Sequence, residues 1–167
     1  MAIPKRHGNP PGTYFMTSRT WENRRLFVTS RVCEIFVDTL FRYRTEGAYG
    51  LHVFVLMPDH FHILLTPAMD KSLERVAQYI KGGCSHSMGE SVGLRYPVWQ
   101  RGFSDHRIRD AADYTIHLDY IERNPVKARL ATIASDYPWC SACGKFEMDD
   151  PPQRLKPLPV AGALRHG

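Results

Sequence analysis

Two apolar runs separated by a Pro-Asp pair constrain the fold of this chain more than any other feature. Leu51–Met57 is dense in leucine, valine and phenylalanine, and His60–Thr66 follows it after Pro58 and Asp59. Runs of this length and composition are typical of buried strands, and a Pro-Asp pair favours a turn. The pattern therefore predicts a tight β-hairpin, with much of both strands inside the protein.

The rest of the chain predicts one strand before this hairpin and three helices. The first strand is expected at Thr13–Arg19, and the helices at Thr29–Tyr43, Ser72–Met88 and Asp110–Asn124. The stretches Tyr96–Gln100 and Ser104–Arg109 fit a strand or an extended loop equally well. This order predicts an α+β fold, with a ferredoxin-like antiparallel sheet and helices packed mainly on one face.

Local signals mark where the second and third helices begin and where they are weak. Ser72 or Asp70 is expected to cap the second helix, and Asp110 to cap the third. The pair Gly82-Gly83 should weaken the middle of the second helix. Pro125 is expected to interrupt the third, because proline lacks the N–H that a helix needs.

Length and composition predict a single soluble domain with two loose ends. We expect a flexible arm over residues 1–12, one folded domain over 13–148 and a flexible proline-rich tail over 149–167. Apolar runs of about 18 residues are missing, which argues against a membrane partner, and the polar N-terminus predicts a cytoplasmic location. The net charge of +5 mildly favours an anionic partner such as nucleic acid. The spacing of Cys140 and Cys143 is interpreted as incidental, because a zinc knuckle needs a second such pair.

The sharpest chemical signal is His60-Phe61-His62. On a strand, residues i and i+2 face the same way, so two imidazoles placed like this can share one metal ion. Phe61 should point into the core, followed on its face by Ile63. The alternative is a pair of solvated histidines on an edge strand.

A second signal is Tyr120 on the third predicted helix. Asn124 follows it by four residues, so both side chains should project from one helix face, with His117 on the same side. Taken alone, this pattern favours a core tyrosine and a helix-end asparagine before Pro125. Tyr114 on the same helix is a competing candidate nucleophile.

These stretches together resemble the HUH family of single-tyrosine transposases, whose signature is histidine, a bulky hydrophobic residue and histidine. The segment 55–65, VLMPDHFHILL, matches the apolar run, the Met-Pro pair and the histidine pair of that signature. The run 120–126, YIERNPV, resembles the REP-associated tyrosine transposases, and Trp99-Gln100 with Asp105-His106 lies between the two motifs as in that family. The resemblance covers roughly residues 13–140.

The resemblance implies a residue assignment and a reaction. Tyr120 would be the nucleophile, and His60, His62 and Asn124 would bind the metal. The reaction would be metal-dependent cleavage and strand transfer of single-stranded DNA through a 5′-phosphotyrosine intermediate. A ligand set of nitrogen and oxygen atoms suits Mn²⁺ or Mg²⁺.

The expected partner is single-stranded or hairpin DNA, bound by a monomer or homodimer. Basic side chains that track phosphates would form the contact surface. The candidates are Arg19, Arg24, Arg25, Arg101, Arg107, Arg109 and Lys127. Of these, Arg24 and Arg25 are the preferred phosphate-binding pair.

Two other functions remain open from the sequence. A non-catalytic single-stranded DNA-binding module derived from a transposase would keep the fold without needing the four candidate site residues. An unrelated metal-dependent phosphohydrolase would need more acidic ligands near the histidines, where only Asp59 qualifies.

Overall fold

A four-stranded antiparallel sheet organises the chain. The computed structural model describes residues 10–95 and 97–157. Its elements are β1 (Tyr14–Arg19), α1 (Ser30–Thr45), β2 (Tyr49–Met57), β3 (His60–Pro67), α2 (Leu73–Val92), β4 (Ser104–Arg107) and α3 (Ala111–Lys127). The strands lie in the order β2-β3-β1-β4 in the sheet. This βαββαβ order, followed by α3, confirms the predicted α+β, ferredoxin-like class. Of the two undecided stretches, Ser104–Arg107 is a strand, and Trp99 makes only an isolated bridge to Thr20.

The predicted hairpin is confirmed. Strands β2 and β3 pair antiparallel around the Pro-Asp turn, with Met57 opposite His60 and Leu56 opposite Phe61. The side chain of Phe61 is fully buried. Because β3 lies between β2 and β1, it is a central strand rather than an edge strand.

Alternation along the strands produces two hydrophobic cores, one on each face of the sheet. Phe61, Ile63 and Leu65 belong to the core that α1 and α2 cover. Leu64 belongs to the second core, which includes Ile121 of α3. Two helices therefore pack on one face, and α3 covers the face that the histidine pair shares.

The helix caps follow the local signals, but the helices run further than expected. The side chains of Ser72 and Asp110 accept hydrogen bonds from backbone N–H groups in the first turns of α2 and α3. Helix α2 continues through its glycine pair. A Cβ on Gly83 would lie 2.8 Å from Cε2 of Tyr43, so glycine permits the close approach of α1 and α2.

The expected interruption at Pro125 is wrong, because α3 continues to Lys127. Proline here lies in the last turn, where its missing N–H removes a single helical hydrogen bond. Burial of the Pro125 ring adds apolar packing that offsets this loss.

Residues 149–157, which belong to the expected flexible tail, pack on the domain. The carboxylate of Asp149 accepts two hydrogen bonds from Arg44, at 2.8 and 2.7 Å, and Leu155 is fully buried. The packed chain thus continues past the expected boundary at residue 148. Residues 1–9 of the expected arm and 158–167 of the expected tail lie outside the described residues.

Candidate active site

The histidine pair lies at the start of β3, on the face that α3 covers. His60 is half-buried and His62 is only 4% exposed. Their rings are 4.8 Å apart between centroids. The alternative of two solvated histidines on an edge strand is therefore wrong.

Each histidine has one ring nitrogen in a short hydrogen bond. Nδ1 of His62 lies 2.6 Å from Oγ1 of Thr17, and Nδ1 of His60 lies 2.6 Å from Oδ1 of Asp59. Thr17 is directly opposite His62 in the pairing of β1 with β3. If each Nδ1–H donates in these bonds, both Nε2 atoms keep free lone pairs.

Nε2 of His62 is a buried polar atom with no hydrogen-bond partner among the described residues. Such atoms are rare in folded proteins, because an unpaired buried polar group costs free energy. Burial, together with the nearby charges of His60 and Arg19, lowers the pKa of His62 to about 3. The imidazole is therefore neutral near pH 7 and fits a metal ligand.

Tyr120 packs against His62 of the histidine pair. The two rings form a T-shaped contact with their centroids 5.1 Å apart, and the ring centroid of Phe15 in β1 lies 5.9 Å from that of Tyr120. Tyr120 is 47% exposed, so the residue is accessible to solvent. Asn124 follows one turn later on α3 and is half-buried.

Tyr114, the competing candidate, is in a different environment. Its side chain is only 3% exposed and belongs to the second hydrophobic core. Burial raises its pKa to about 12. A phenol that substrate cannot reach and that resists ionisation is a poor nucleophile, so the geometry favours Tyr120.

Two of the predicted basic residues border a groove beside the histidine pair. Arg19 and Arg101 line a cavity of about 280 Å³ with Phe103, where β1 ends and β4 begins. Thr17, the partner of His62, lines the same groove. The groove therefore borders the histidine pair through Thr17 and Arg19, which lie opposite His62 and His60 in the pairing of β1 with β3.

The other basic candidates are placed differently. The guanidinium of Arg24 donates a 2.7 Å hydrogen bond to the carbonyl of Pro97, so this residue holds a loop in place. Arg107 and Arg109 lie near the opposite end of β1, since Arg107 pairs with Tyr14. Arg25 and Lys127 are exposed.

Some residues of the site had no signal in the sequence. The sequence did not predict that Phe15 and Thr17 line the site. Their placement, and the contact of Thr17 with His62, depend on which residues of β1 and β3 pair, and strand register is a long-range property. The sequence places His106 in the Asp105-His106 pair without giving it a role, yet it forms a cluster with Asp113 and His117. Burial opposes ionisation of Asp113, but hydrogen bonds from the backbone of Arg109 and from His106 lower its pKa overall.

Within the described part of the chain, no helix is long and apolar enough to cross a membrane.

The two cysteines with CxxC spacing, Cys140 and Cys143, are free thiols. Cys140 is buried beside β2, and Cys143 is half-buried.

Comparison with known proteins identifies the family. The family model described as "Transposase IS200 like" matches residues 16–124. A REP-associated tyrosine transposase of Escherichia coli (strain K12) is 30% identical over 129 residues, which cover 77% of this chain and 74% of the relative. A Haemophilus influenzae protein provisionally given the same name is 28% identical, with 78% and 79% covered.

A solved structure shares the fold. It is described as a REP-associated tyrosine transposase bound to a REP hairpin, and it superposes with a TM-score of 0.66 at 23% identity. The match covers 95% of both chains. Since the family model spans more than half of the sequence, this chain belongs to the IS200-like transposases, in the branch of the REP-associated tyrosine transposases.

Proposed function

We propose that this protein cleaves and rejoins single-stranded DNA through a covalent 5′-phosphotyrosine formed by Tyr120. His60, His62 and Asn124 would hold the divalent ion, Mg²⁺ or Mn²⁺. The observation that supports the proposal best is the contact of the Tyr120 ring with His62, whose buried Nε2 has no protein partner among the described residues.

The reaction needs an accessible phenol next to a site that binds a phosphate. The oxygen of Tyr120 would attack phosphorus, and the bond from phosphorus to the 3′ oxygen would break. The phenol loses its proton to solvent, and the departing 3′ oxygen takes up a proton to become a hydroxyl. A 3′-hydroxyl can attack the phosphotyrosine in the reverse sense, which rejoins strands without a further energy source.

An ordinary phenol has a pKa near 10 and is a weak nucleophile at neutral pH. A divalent ion, when bound, polarises the phosphoryl oxygen and stabilises the charge that develops on it. The protein positions the reactants: Phe15 and His62 contact the tyrosine ring, and Thr17 orients the His62 imidazole. Holding the reacting groups in place lowers the entropic part of the barrier.

The proposed substrate is hairpin DNA with a single-stranded flank. The solved relative is described as bound to a REP hairpin, and the groove beside the histidine pair has features suited to a flexible strand. Arg19 and Arg101 would contact phosphates there, and Phe103 would stack on a base. Arg25 and Lys127 are exposed charges that would extend this surface, whereas Arg24, Arg107 and Arg109 would act further from the reacting phosphate.

The test is incubation with end-labelled hairpin DNA and Mn²⁺, followed by denaturing electrophoresis. We expect a covalent protein–DNA adduct that Tyr120→Phe abolishes and the matched control Tyr114→Phe retains. Loss of the adduct in Tyr114→Phe, with retention in Tyr120→Phe, would move the nucleophile. Tight binding of several hairpins with no adduct would instead favour the non-catalytic DNA-binding module.

A second arm tests the histidine pair. His60→Ala should abolish cleavage and largely preserve DNA affinity, because His60 is assigned to the metal rather than to the DNA. Electrophoretic mobility shifts measure affinity on the same hairpin. Unchanged cleavage in His60→Ala would remove the pair from the mechanism.

A further inference from the structure

A second group of metal-ligating side chains lies outside the proposed active site. It contains His106 of β4 together with Asp113 and His117 of α3, and one ligand atom from each lies within 4.8 Å of the others. Asp113 and His117 are one helical turn apart, so they project from the same face. His106 reaches them from the strand that precedes α3.

The distances fit one shared ion. Nε2 of His106 lies 2.8 Å from Oδ2 of Asp113, and Nδ1 of His117 lies 3.2 Å from Oδ1. Metal–ligand bonds of about 2.0–2.1 Å imply separations of about 3.0–3.4 Å between neighbouring ligands, for octahedral and tetrahedral geometry respectively. An ion would replace the 2.8 Å hydrogen bond between Nδ1 of His117 and the backbone carbonyl of Asp113, and small side-chain movements would then bring all three groups to it.

The burial of the three groups suits a site with open coordination positions. The side chain of Asp113 is 5% exposed, whereas those of His117 and His106 are 20% and 39% exposed. The carboxylate thus brings a negative charge under the two imidazoles, and water can reach the other side. Two histidines and one carboxylate form a ligand set that first-row transition ions accept.

We propose that His106, Asp113 and His117 bind a divalent first-row transition ion such as Zn²⁺. This site is separate from the histidine pair, because the ring of Phe15 contacts both His117 and His62 and lies between them. A bound ion would cross-link β4 to the first two turns of α3. In consequence it would hold the helix that presents Tyr120, a role that rests on the proposed function.

A hydrogen-bonded network without metal is the competing explanation of the same contacts. Without an ion, Nε2–H of His106 and the backbone N–H of Arg109 can donate to Oδ2 of Asp113, while Nδ1–H of His117 donates to the backbone carbonyl of Asp113 at 2.8 Å. The two explanations differ in metal uptake by the folded protein, which can be measured without any DNA.

The experiment is a titration of the full chain with Co²⁺, a spectroscopic substitute for Zn²⁺, followed by competition with Zn²⁺. In a His60→Ala/His62→Ala background, we expect one equivalent to bind. His106→Ala or His117→Gln in that background should weaken binding at least about 100-fold, since loss of a ligand should cost no less than loss of a ligand's hydrogen-bond partner. The control is His86→Ala, an exposed histidine paired with Glu90, which should change nothing.

Two results would overturn the proposal: no Co²⁺ binding by the folded double variant, or binding that survives both His106→Ala and His117→Gln. Circular dichroism establishes that each variant is folded. If the double variant does not fold, the wild-type chain replaces it and should lose one equivalent in His106→Ala. The number of Co²⁺ equivalents bound separates the two proposed metal sites. If the wild-type chain binds a single equivalent and His106→Ala loses it, the result counts against the His60–His62 metal site and supports the site at His106, Asp113 and His117.

Discussion

Removal of one hydroxyl tests how the histidine pair is held. Thr17→Val replaces the side chain with one of nearly the same shape and deletes the oxygen that lies 2.6 Å from Nδ1 of His62. Since Nε2 of that ring already lacks a partner within the described structure, the substitution leaves both ring nitrogens unpaired in an imidazole that is 4% exposed.

The expected effect has two parts. A buried donor that loses its acceptor costs about 1–3 kcal/mol, so the free energy of unfolding of the metal-free protein should fall by that amount. With Nδ1 no longer oriented, the affinity of the histidine pair for Mn²⁺ should fall about 10–100-fold, the usual cost of losing a hydrogen bond to a metal-binding histidine. Thr17→Ser keeps the hydroxyl and should retain most of both properties.

Urea unfolding followed by tryptophan fluorescence measures the first effect, and calorimetric titration with Mn²⁺ measures the second. The titration is made in a His106→Ala background, so that the second proposed site does not contribute. The reasoning is refuted if Thr17→Val changes stability by less than about 0.5 kcal/mol, the range of ordinary surface substitutions, and leaves Mn²⁺ affinity equal to that of Thr17→Ser.

Two further predictions concern the fold and its pH dependence. Gly83→Ala should destabilise the protein by about 1–3 kcal/mol, because the new Cβ would lie 2.8 Å from Cε2 of Tyr43. Gly82→Ala meets nothing within 4 Å and should stabilise it by about 0.5–1 kcal/mol in urea unfolding; equal effects would contradict the packing argument. The pKa of His62 is lowered to about 3, so its neutral form stabilises the metal-free fold above about pH 6.5, and that stability is lost as the pH falls. At pH 5 the loss should be about 2 kcal/mol, and it should be absent from the pH dependence of His62→Gln.

Short-range patterns in the sequence determined the hairpin of the sheet, the common face of the histidine pair and two helix caps. The hairpin follows from two apolar runs around a Pro-Asp turn, and the burial of Phe61 and the common face of the histidine pair follow from the two-residue period of a strand. The caps at Ser72 and Asp110 follow from hydrogen bonds that span three residues. These features depend on neighbours along the chain, so they can be predicted without knowing the fold.

Only the tertiary structure decided which residues meet across the sheet. The contact of Thr17 with His62 requires one register between β1 and β3, and a shift by one residue would place them on opposite faces. The packing of Tyr120 over His62 requires α3 to cover the face opposite α1 and α2.

The same long-range dependence explains the remaining differences between expectation and structure. Pro125 remains in α3 because it lies in the last turn and its ring is buried. Asp149 pairs with Arg44, which is far away in the sequence, so composition alone suggested a loose tail there. The sequence alone thus determined the local elements and the chemistry that they present, whereas the long-range packing of those elements decided which of these groups face one another.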